Sequence, residues 1–301
     1  MENTDAWSLY WQGSHQESCI ANNSAEDQSI LLDSWRDFAL SLKDCSTVLD
    51  LATGNGSVPN NLLKFNPLLD ITAVDRANIN PQKHIEDNFS LKSVEFIPNI
   101  DITKLPFKPC IFDAITSQFG LEYSALGLST SELVRVLKPQ GQFLFIMHHQ
   151  DSEVVAPARS KVKEFDLLFK SDLLASFESF LNGDICLQQL NATGEKILND
   201  ATWVKSQAIT GQIFSAIDQL IQLKEKGQKT AVLMQTYQVM KTRVFAESSR
   251  LEQLISASLS KKEVIALCKI LENLGTNTVF QSIDLAGNAG VLGWKIKGSK
   301  L

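Results

Sequence analysis

The sequence contains no paired cysteines. Its five, Cys19, Cys45, Cys110, Cys186 and Cys268, lie far apart and make no C-x-x-C pair. An odd, scattered set supports neither a disulfide framework nor a zinc site, and reads as reduced thiols in a cytoplasmic protein, with no metal expected. No apolar run approaches the roughly 20 residues that span a bilayer. The opening residues, Met1-Glu-Asn-Thr-Asp-Ala-Trp7, have no signal-peptide core. Basic charge is in deficit, 28 Lys and Arg against 34 Asp and Glu, for a net charge of −6. Nucleic acid and anionic membrane both need a basic face to displace counterions, so neither is an expected partner. Proline is missing beyond Pro157, and only four glycines fall between 158 and 274. That stretch lacks the turn residues that punctuate a sheet.

What is present is an ordinary globular composition, 44% hydrophobic and 21% charged. At about 150 residues per domain, 301 residues allow one large domain or a domain with a sizeable insertion. The first half alternates short apolar runs with helical stretches. Thr47–Leu51, Asp70–Asp75, Ser93–Ile97, Ile111–Thr116 and Gln142–Met147 read as strands. Between the last two, Ser131 to Leu137 reads as a helix ended by Pro139-Gln-Gly141. Ile30, Leu31, Trp35 and Phe38 share one face of a leading helix. Runs of five or six residues alternating with helices imply βαβ units and a parallel sheet.

Residues 158–181, 203–223, 231–255 and 260–274 carry apolar residues at helical spacing, as in a helical bundle. Strand patterns return at Thr278–Asp284 and Val291–Lys297, joined by Leu-Ala-Gly-Asn-Ala-Gly, as in a β-hairpin. The expected fold is therefore α/β: a Rossmann-like, seven-stranded, mostly parallel sheet with an antiparallel terminal hairpin. One domain comprises 1–150 and 275–301, and 151–274 is a helical insertion after the fifth strand, serving as a substrate lid or in oligomerisation. A homodimer is compatible with this layout.

The strongest motif is Val48-Leu-Asp-Leu-Ala-Thr-Gly-Asn-Gly-Ser57, a strand ending near an aspartate and turning through glycines into a helix. Glycine is needed where the backbone takes positive φ or lies close to a ligand. Pro59 replaces the third glycine of G-x-G-x-x-G, which weighs against a nicotinamide-dependent oxidoreductase. Asp75 ends the second strand 19 residues after Gly56, where nucleoside-binding sheets place a carboxylate for the ribose hydroxyls. The alternative is a strand-end carboxylate in solvent. A further acid, Asp101, opens Asp-Ile-Thr-Lys-Leu-Pro-Phe107 after the third strand.

Together with Ala-Val-Asp-Arg76, Phe-Asp-Ala-Ile-Thr-Ser-Gln-Phe-Gly120 and Glu-Leu-Val-Arg-Val-Leu-Lys-Pro-Gln-Gly141, these motifs resemble the class I S-adenosylmethionine-dependent methyltransferases, in order and spacing, through residues 46–149. The phrases Leu-Pro-Phe and Phe-Gly-Leu-Glu look most like the small-molecule members, including quinone-biosynthesis C-methyltransferases. The resemblance implies S-adenosylmethionine as cofactor, S-adenosylhomocysteine as its product, and a small-molecule acceptor. It implies that the turn Ala52, Thr53, Gly54, Asn55 and Gly56 lies against the methionine portion, with Asp50 near its amino group. Asp75 would hold the ribose and Arg76 would lie by the adenine. Asp101 would accept from the adenine amino group and the Ile102 amide would serve a ring nitrogen. Ser117, Gln118 and Phe119 would line the methionine end. Ala52 stands where the family more often has glycine. Tyr10, in an aromatic segment with Trp7 and Trp11, would close over the cofactor and reach its carboxylate; simple packing is the alternative.

His148 and His149 follow the fifth strand, at the sheet edge where open α/β folds bind ligands. A near-neutral pKa suits either to proton abstraction, and a capping role is the alternative. No Asn-Pro-Pro-Tyr sequence follows the fourth strand, which argues against nucleobase amino-methylation. A non-catalytic cofactor-binding regulator or scaffold would share the loop without the acceptor pocket.

Overall fold

A computed structural model of the chain describes residues 3–13, 16, 25–86, 89–200, 207–285 and 290–301. Cys19, the start of the stretch expected to be helical from 203, and the hairpin tip at 286–289 lie outside them.

Seven strands form one sheet: β1 (Thr47–Leu51), β2 (Asp70–Val74), β3 (Glu95–Ile97), β4 (Phe112–Gln118), β5 (Leu137–His148), β6 (Thr276–Asp284) and β7 (Val291–Lys300). Their order is β3-β2-β1-β4-β5-β7-β6. The first five are parallel, and β7 runs antiparallel to both β5 and β6. The expected α/β sheet with an antiparallel terminal hairpin is thus present. Strand periodicity explains its two cores. Along β5, Phe143, Phe145 and Met147 join one buried cluster while Leu144 and Ile146 join the other. Successive side chains point to opposite faces, so a sheet covered on both sides needs continuous apolar runs.

α1 (Asn3–Tyr10) precedes α2 (Ala25–Ser41), whose Trp35 is fully buried, and α3 (Ser57–Phe65) and α4 (Pro81–His84) follow β1 and β2. α5 (Leu126–Val136) leads into β5. This corrects the helix end expected at Pro139-Gln-Gly141: Leu137 is already extended, with ψ 132°. A residue before proline is pushed out of the helical region, so Lys138 favours extended chain, and β5 starts early.

The chain divides into two compact units, Met1–Ala156 with Gln253–Leu301, and Pro157–Glu252. The sheet unit includes α11 (Lys261–Asn273), which the sequence pattern had assigned to the insertion. Its Val264, Leu267, Cys268 and Leu271 share a core with Leu133, Trp294 and Ile296, so burial overrides the break in composition. The helical unit contains α6 (Val155–Lys170), α7 (Leu173–Asn182), α8 (Leu187–Asp200), α9 (Ala208–Glu225) and most of α10 (Thr230–Ala257). The single helix expected over 158–181 breaks at Asp172, which takes the left-handed φ of 57°. Within this unit the buried Glu164 carboxylate accepts from the Ile209 and Thr210 amides, both at 3.0 Å, capping α9 from a distance in sequence. Among the described residues no helix is long and apolar enough to cross a membrane.

Candidate active site

The turn after β1 is built from left-handed backbone. Ala52 has φ 54°, Gly54 54° and Gly56 79°. Left-handed geometry costs a non-glycine residue roughly 1–2 kcal/mol, so Ala52 is strained. Gly120 accommodates it, because a Cβ at Gly120 would stand 2.4 Å from that of Ala52. Its neighbour Phe119 is also left-handed, with φ 52°. Strained non-glycine residues cluster at functional sites, and these two face one cavity.

Asp75 organises the turn. Its Oδ2 accepts from the Gly54 amide at 2.8 Å and its Oδ1 from the Ala77 amide at 2.8 Å. The solvated-carboxylate alternative is therefore wrong, since Asp75 is buried. Asn55 donates from Nδ2 to the Trp11 carbonyl at 3.2 Å and the Gly13 carbonyl at 3.1 Å, tying the segment after α1 to the same loop. Trp11 packs so closely on Gly54 that a Cβ there would meet its ring at 2.3 Å.

A cavity of about 320 Å³ opens along the carboxyl ends of β1 to β4. From the β3 side it is lined by Asp101 and Ile102, then Asp75 and Arg76 after β2, Ala52 after β1, and Phe119 and Tyr123 after β4. Trp7, Trp11 and Gln253 complete its wall. Of the residues expected to hold a cofactor, Ala52, Asp75, Arg76, Asp101, Ile102 and Phe119 therefore come together.

Others do not reach it. Ser117 is fully buried; its Oγ donates to the Leu51 carbonyl at 2.9 Å and accepts from the Leu121 amide at 3.1 Å. Gln118 accepts from Trp35 Nε1 at 2.6 Å. Both are spent on packing β4, and only Phe119, the residue that leaves the strand, enters the cavity. Tyr10 packs against Trp7 and Trp11, and those two indoles line the wall in its place. Asp50, Thr53, Gly54, Asn55 and Gly56 form the buried turn without lining the cavity.

Burial sets the electrostatics. Desolvation raises the Asp50 carboxyl to about 7 despite the Thr53 and Thr116 hydroxyls, with Asp75 adding to the rise. Thr116 Oγ1 donates to Asp50 Oδ1 at 2.7 Å. Thr53 lies near enough to favour the carboxylate, yet no hydrogen bond of ordinary geometry joins them, leaving Asp50 Oδ2 and Thr53 Oγ1 buried and open. Desolvation likewise raises Asp75 to about 6, against three backbone amides that lower it. Asp101 is exposed and held below the usual range by hydrogen bonds from the Thr103 hydroxyl and amide, then by the Arg76 charge.

Neither histidine reaches the cavity. His148 is fully buried: its ring stacks on Phe119 at 4.6 Å between centroids, and its Nε2 lies 3.2 Å from the Tyr123 hydroxyl. His149 accepts at Nδ1 from the Asp151 amide at 3.0 Å, packs on Trp294, and has its pKa lowered by burial. That is the capping role. Successive residues at the end of β5 point to opposite faces of the sheet, so only one of these neighbours packs on the face that carries Phe119 and Tyr123.

Residues 49–145 match the methyltransferase domain family. The site described above falls largely within that segment. Over those residues the chain is similar to methyltransferase domains. A stretch of 101 residues is 40% identical to demethylmenaquinone methyltransferase of Thermotoga maritima, covering 33% of this chain and 42% of that protein. The chain thus spans less than half the length of this curated relative. Solved structures with similarity include a SAM-dependent methyltransferase from Aquifex aeolicus, at 15% identity and TM-score 0.43 over 88% of each chain. Another is geranyl diphosphate C-methyltransferase from Streptomyces coelicolor, at 13% identity and TM-score 0.38, covering 49% of this chain and 65% of that one.

The methyltransferase domain fits its cofactor at three points. Asp50 Oδ2, buried and open, suits the cationic amino group of the methionine portion. Asp75 lines the cavity with a lone pair to spare beyond its amide partners, as ribose hydroxyls need. Asp101 and Ile102 line the β3 side, where the adenine edge is expected. Sequence reasoning named Trp7 and Trp11 only as neighbours of Tyr10, and missed Gln253 and the pairing of Glu122 with His148. The order Leu-Glu-Tyr just beyond a cofactor motif was the available signal.

Proposed function

We propose that the chain transfers the methyl group of S-adenosylmethionine to a small-molecule acceptor. One observation carries this reading: within the methyltransferase segment, acids from two strand ends, Asp75 and Asp101, line one cavity, and Asp50 of the adjoining turn keeps an open buried oxygen. When bound, S-adenosylmethionine supplies an electrophilic methyl carbon on a sulfonium, and displacement is in line. The chain's residues then mainly hold, orient and exclude water. Orientation supplies roughly 7–11 kcal/mol of such a barrier, against about 3–5 kcal/mol for a general base worth 10²–10⁴-fold.

The cavity favours an uncharged, flat acceptor. Trp7, Trp11, Phe119 and Tyr123 give its wall four aromatic rings, and among the described lining residues Arg76 is the one cation. Arg76 stands on the β2 side, away from Tyr123 in the strand order. A hydroxylated aromatic ring suits this wall, and the relative from Thermotoga maritima, named for a demethylmenaquinone, supports the same class.

Calorimetric titration with S-adenosylhomocysteine tests the reading. Micromolar binding is expected, with a thermal shift corresponding to about 2.7 kcal/mol at 100 times Kd. NAD should produce neither. A shift with NAD and none with S-adenosylhomocysteine would overturn the assignment.

A further inference from the structure

Behind Tyr123, on the side away from the cavity, lies a chain of ionisable groups that cofactor binding does not use. His148 Nε2 stands 3.2 Å from the Tyr123 hydroxyl and 4.0 Å from Glu122 Oε1. That same Glu122 oxygen accepts the His148 amide at 2.7 Å, which locks the two residues together. Both side chains have no exposure, and Glu122 Oε2 is buried without a hydrogen bond. Phe119 covers one face of the imidazole, and Trp7 packs edge-on against Tyr123 at 5.2 Å, held by its own hydrogen bond to Gln253 at 3.0 Å.

A buried carboxylate and imidazole are costly to leave without a task, because each loses hydration. Packing alone would be served by apolar residues of the same size. The order here is directional: cavity, phenol, imidazole, carboxylate. Of the three, Tyr123 lines the cavity, and it does so at the β4 end, beyond Ala52 and Phe119.

We propose that Tyr123, His148 and Glu122 form a proton relay that ionises a hydroxylated aromatic acceptor, with Tyr123 as the catalytic residue and the other two acting through it. The proposal rests on the methyl-transfer reading and names the acceptor chemistry of that same site. The acceptor's O–H bond breaks and its proton passes to Tyr123 Oη. The phenolic proton of Tyr123 passes in turn to His148 Nε2. The electron pair of the broken O–H bond stays on the acceptor, making its oxygen or a conjugated ring carbon nucleophilic. The imidazolium formed is balanced by the Glu122 carboxylate, and the proton returns to water by the reverse path when product leaves.

Burial raises the Glu122 carboxyl to about 7, against the amides of Glu122, His148 and Gly120, so its ionised form is available near neutrality. Among the described residues, the titratable groups in this cluster are these three. His149, next on the strand, faces Asp151 and Asp284 instead.

The probe is 4-nitrophenol, whose ionisation is visible in its absorbance, added to full-length protein saturated with S-adenosylhomocysteine. The wild type should bind it as the phenolate, at a pH where the free probe is mostly protonated. Calorimetry in two buffers of different ionisation enthalpy should show that the proton stays on the protein. Tyr123→Phe should lower the ionised fraction of bound probe at least tenfold, one pKa unit. Glu122→Gln, nearly isosteric, should do the same without removing the phenol, a result that packing alone does not give. A probe that remains neutral, fails to bind, or ionises equally in wild type and both variants overturns the relay. If S-adenosylhomocysteine itself does not bind, the methyl-transfer reading has failed first, and the calorimetric titration shows this separately.

Discussion

At the residue scale, the buried acids of the β1–β2 turn link cofactor chemistry to stability. Asp50 rises from an ordinary 3.8 to about 7, chiefly through desolvation. An acid whose folded pKa is raised binds more protons folded than unfolded between those two values. Stability therefore falls as pH climbs through that window. Asp50→Asn removes this titration. The melting temperature of the wild type relative to Asp50→Asn should thus decline steadily from about pH 4 to pH 7 in unliganded protein. Saturating S-adenosylhomocysteine should recover part of the decline, because its amino group favours the carboxylate. Scanning fluorimetry across that range measures both; a flat difference would mean that Asp50 does not titrate there. Little of this was legible in the sequence. The aspartate and the glycine turn were, because a strand ending in Asp-x-Ala-x-Gly-x-Gly constrains the backbone locally. That Asp75 also ties Gly54 was not, because the contact depends on β2 lying beside β1.

At the scale of elements, the same turn holds the aromatic segment that follows α1. Asn55 reaches the carbonyls of Trp11 and Gly13, while the Trp11 ring seats on Gly54. A net 0.5–1.5 kcal/mol per hydrogen bond makes this anchor worth about 1–3 kcal/mol. Asn55→Ala should therefore speed amide exchange across residues 6–13 about five- to a hundredfold, while β1 and β4 keep wild-type protection. Hydrogen exchange with mass spectrometry resolves the two regions, and unchanged exchange in 6–13 would show that the aromatic contacts alone hold the segment. The aromatic cluster was visible in the sequence as Trp7, Tyr10 and Trp11. Which ring faces the ligand was not, since α1 offers several faces and tertiary packing selects Trp7 and Trp11. The same limit explains the helices. Apolar periodicity located α9, α10 and α11, but it ran across the break at Asp172, where one left-handed residue separates α6 from α7. It gave no warning of α8, a mostly polar helix with an internal Gly194.

At the scale of the whole molecule, the chain divides into two units with different sequence character. Every residue that lines the cavity belongs to the sheet unit, and so do all five cofactor motifs. The helical unit, Pro157–Glu252, leaves that unit after β5 and rejoins it within α10, and it buries Leu173, Phe177, Ile213, Leu220 and Tyr237. Because no cofactor motif falls in this segment, we propose that it serves the acceptor as a lid, with oligomerisation as the alternative. Gating elements must open to admit substrate, so a lid should be less stable locally than the sheet and should gain protection when the site is filled. Exchange in 157–252 should therefore be faster than in β1, β4 and β5 in the unliganded protein. S-adenosylhomocysteine alone should slow exchange at 50–56, 75–77 and 101–103. The helical unit should slow only when 4-nitrophenol is added as well. Substitutions within 157–252 that weaken probe binding should leave S-adenosylhomocysteine affinity within about twofold, since sites without shared contacts behave additively. Identical exchange of α6 to α10 in all three states, together with a dimer in sedimentation that a charge at Val239, an exposed apolar residue of α10, dissociates (Val239→Lys), would assign the unit to self-association. Acceptor choice would then fall to Tyr123, Trp7 and the loop after β4, and the relay behind Tyr123 would stand without a lid.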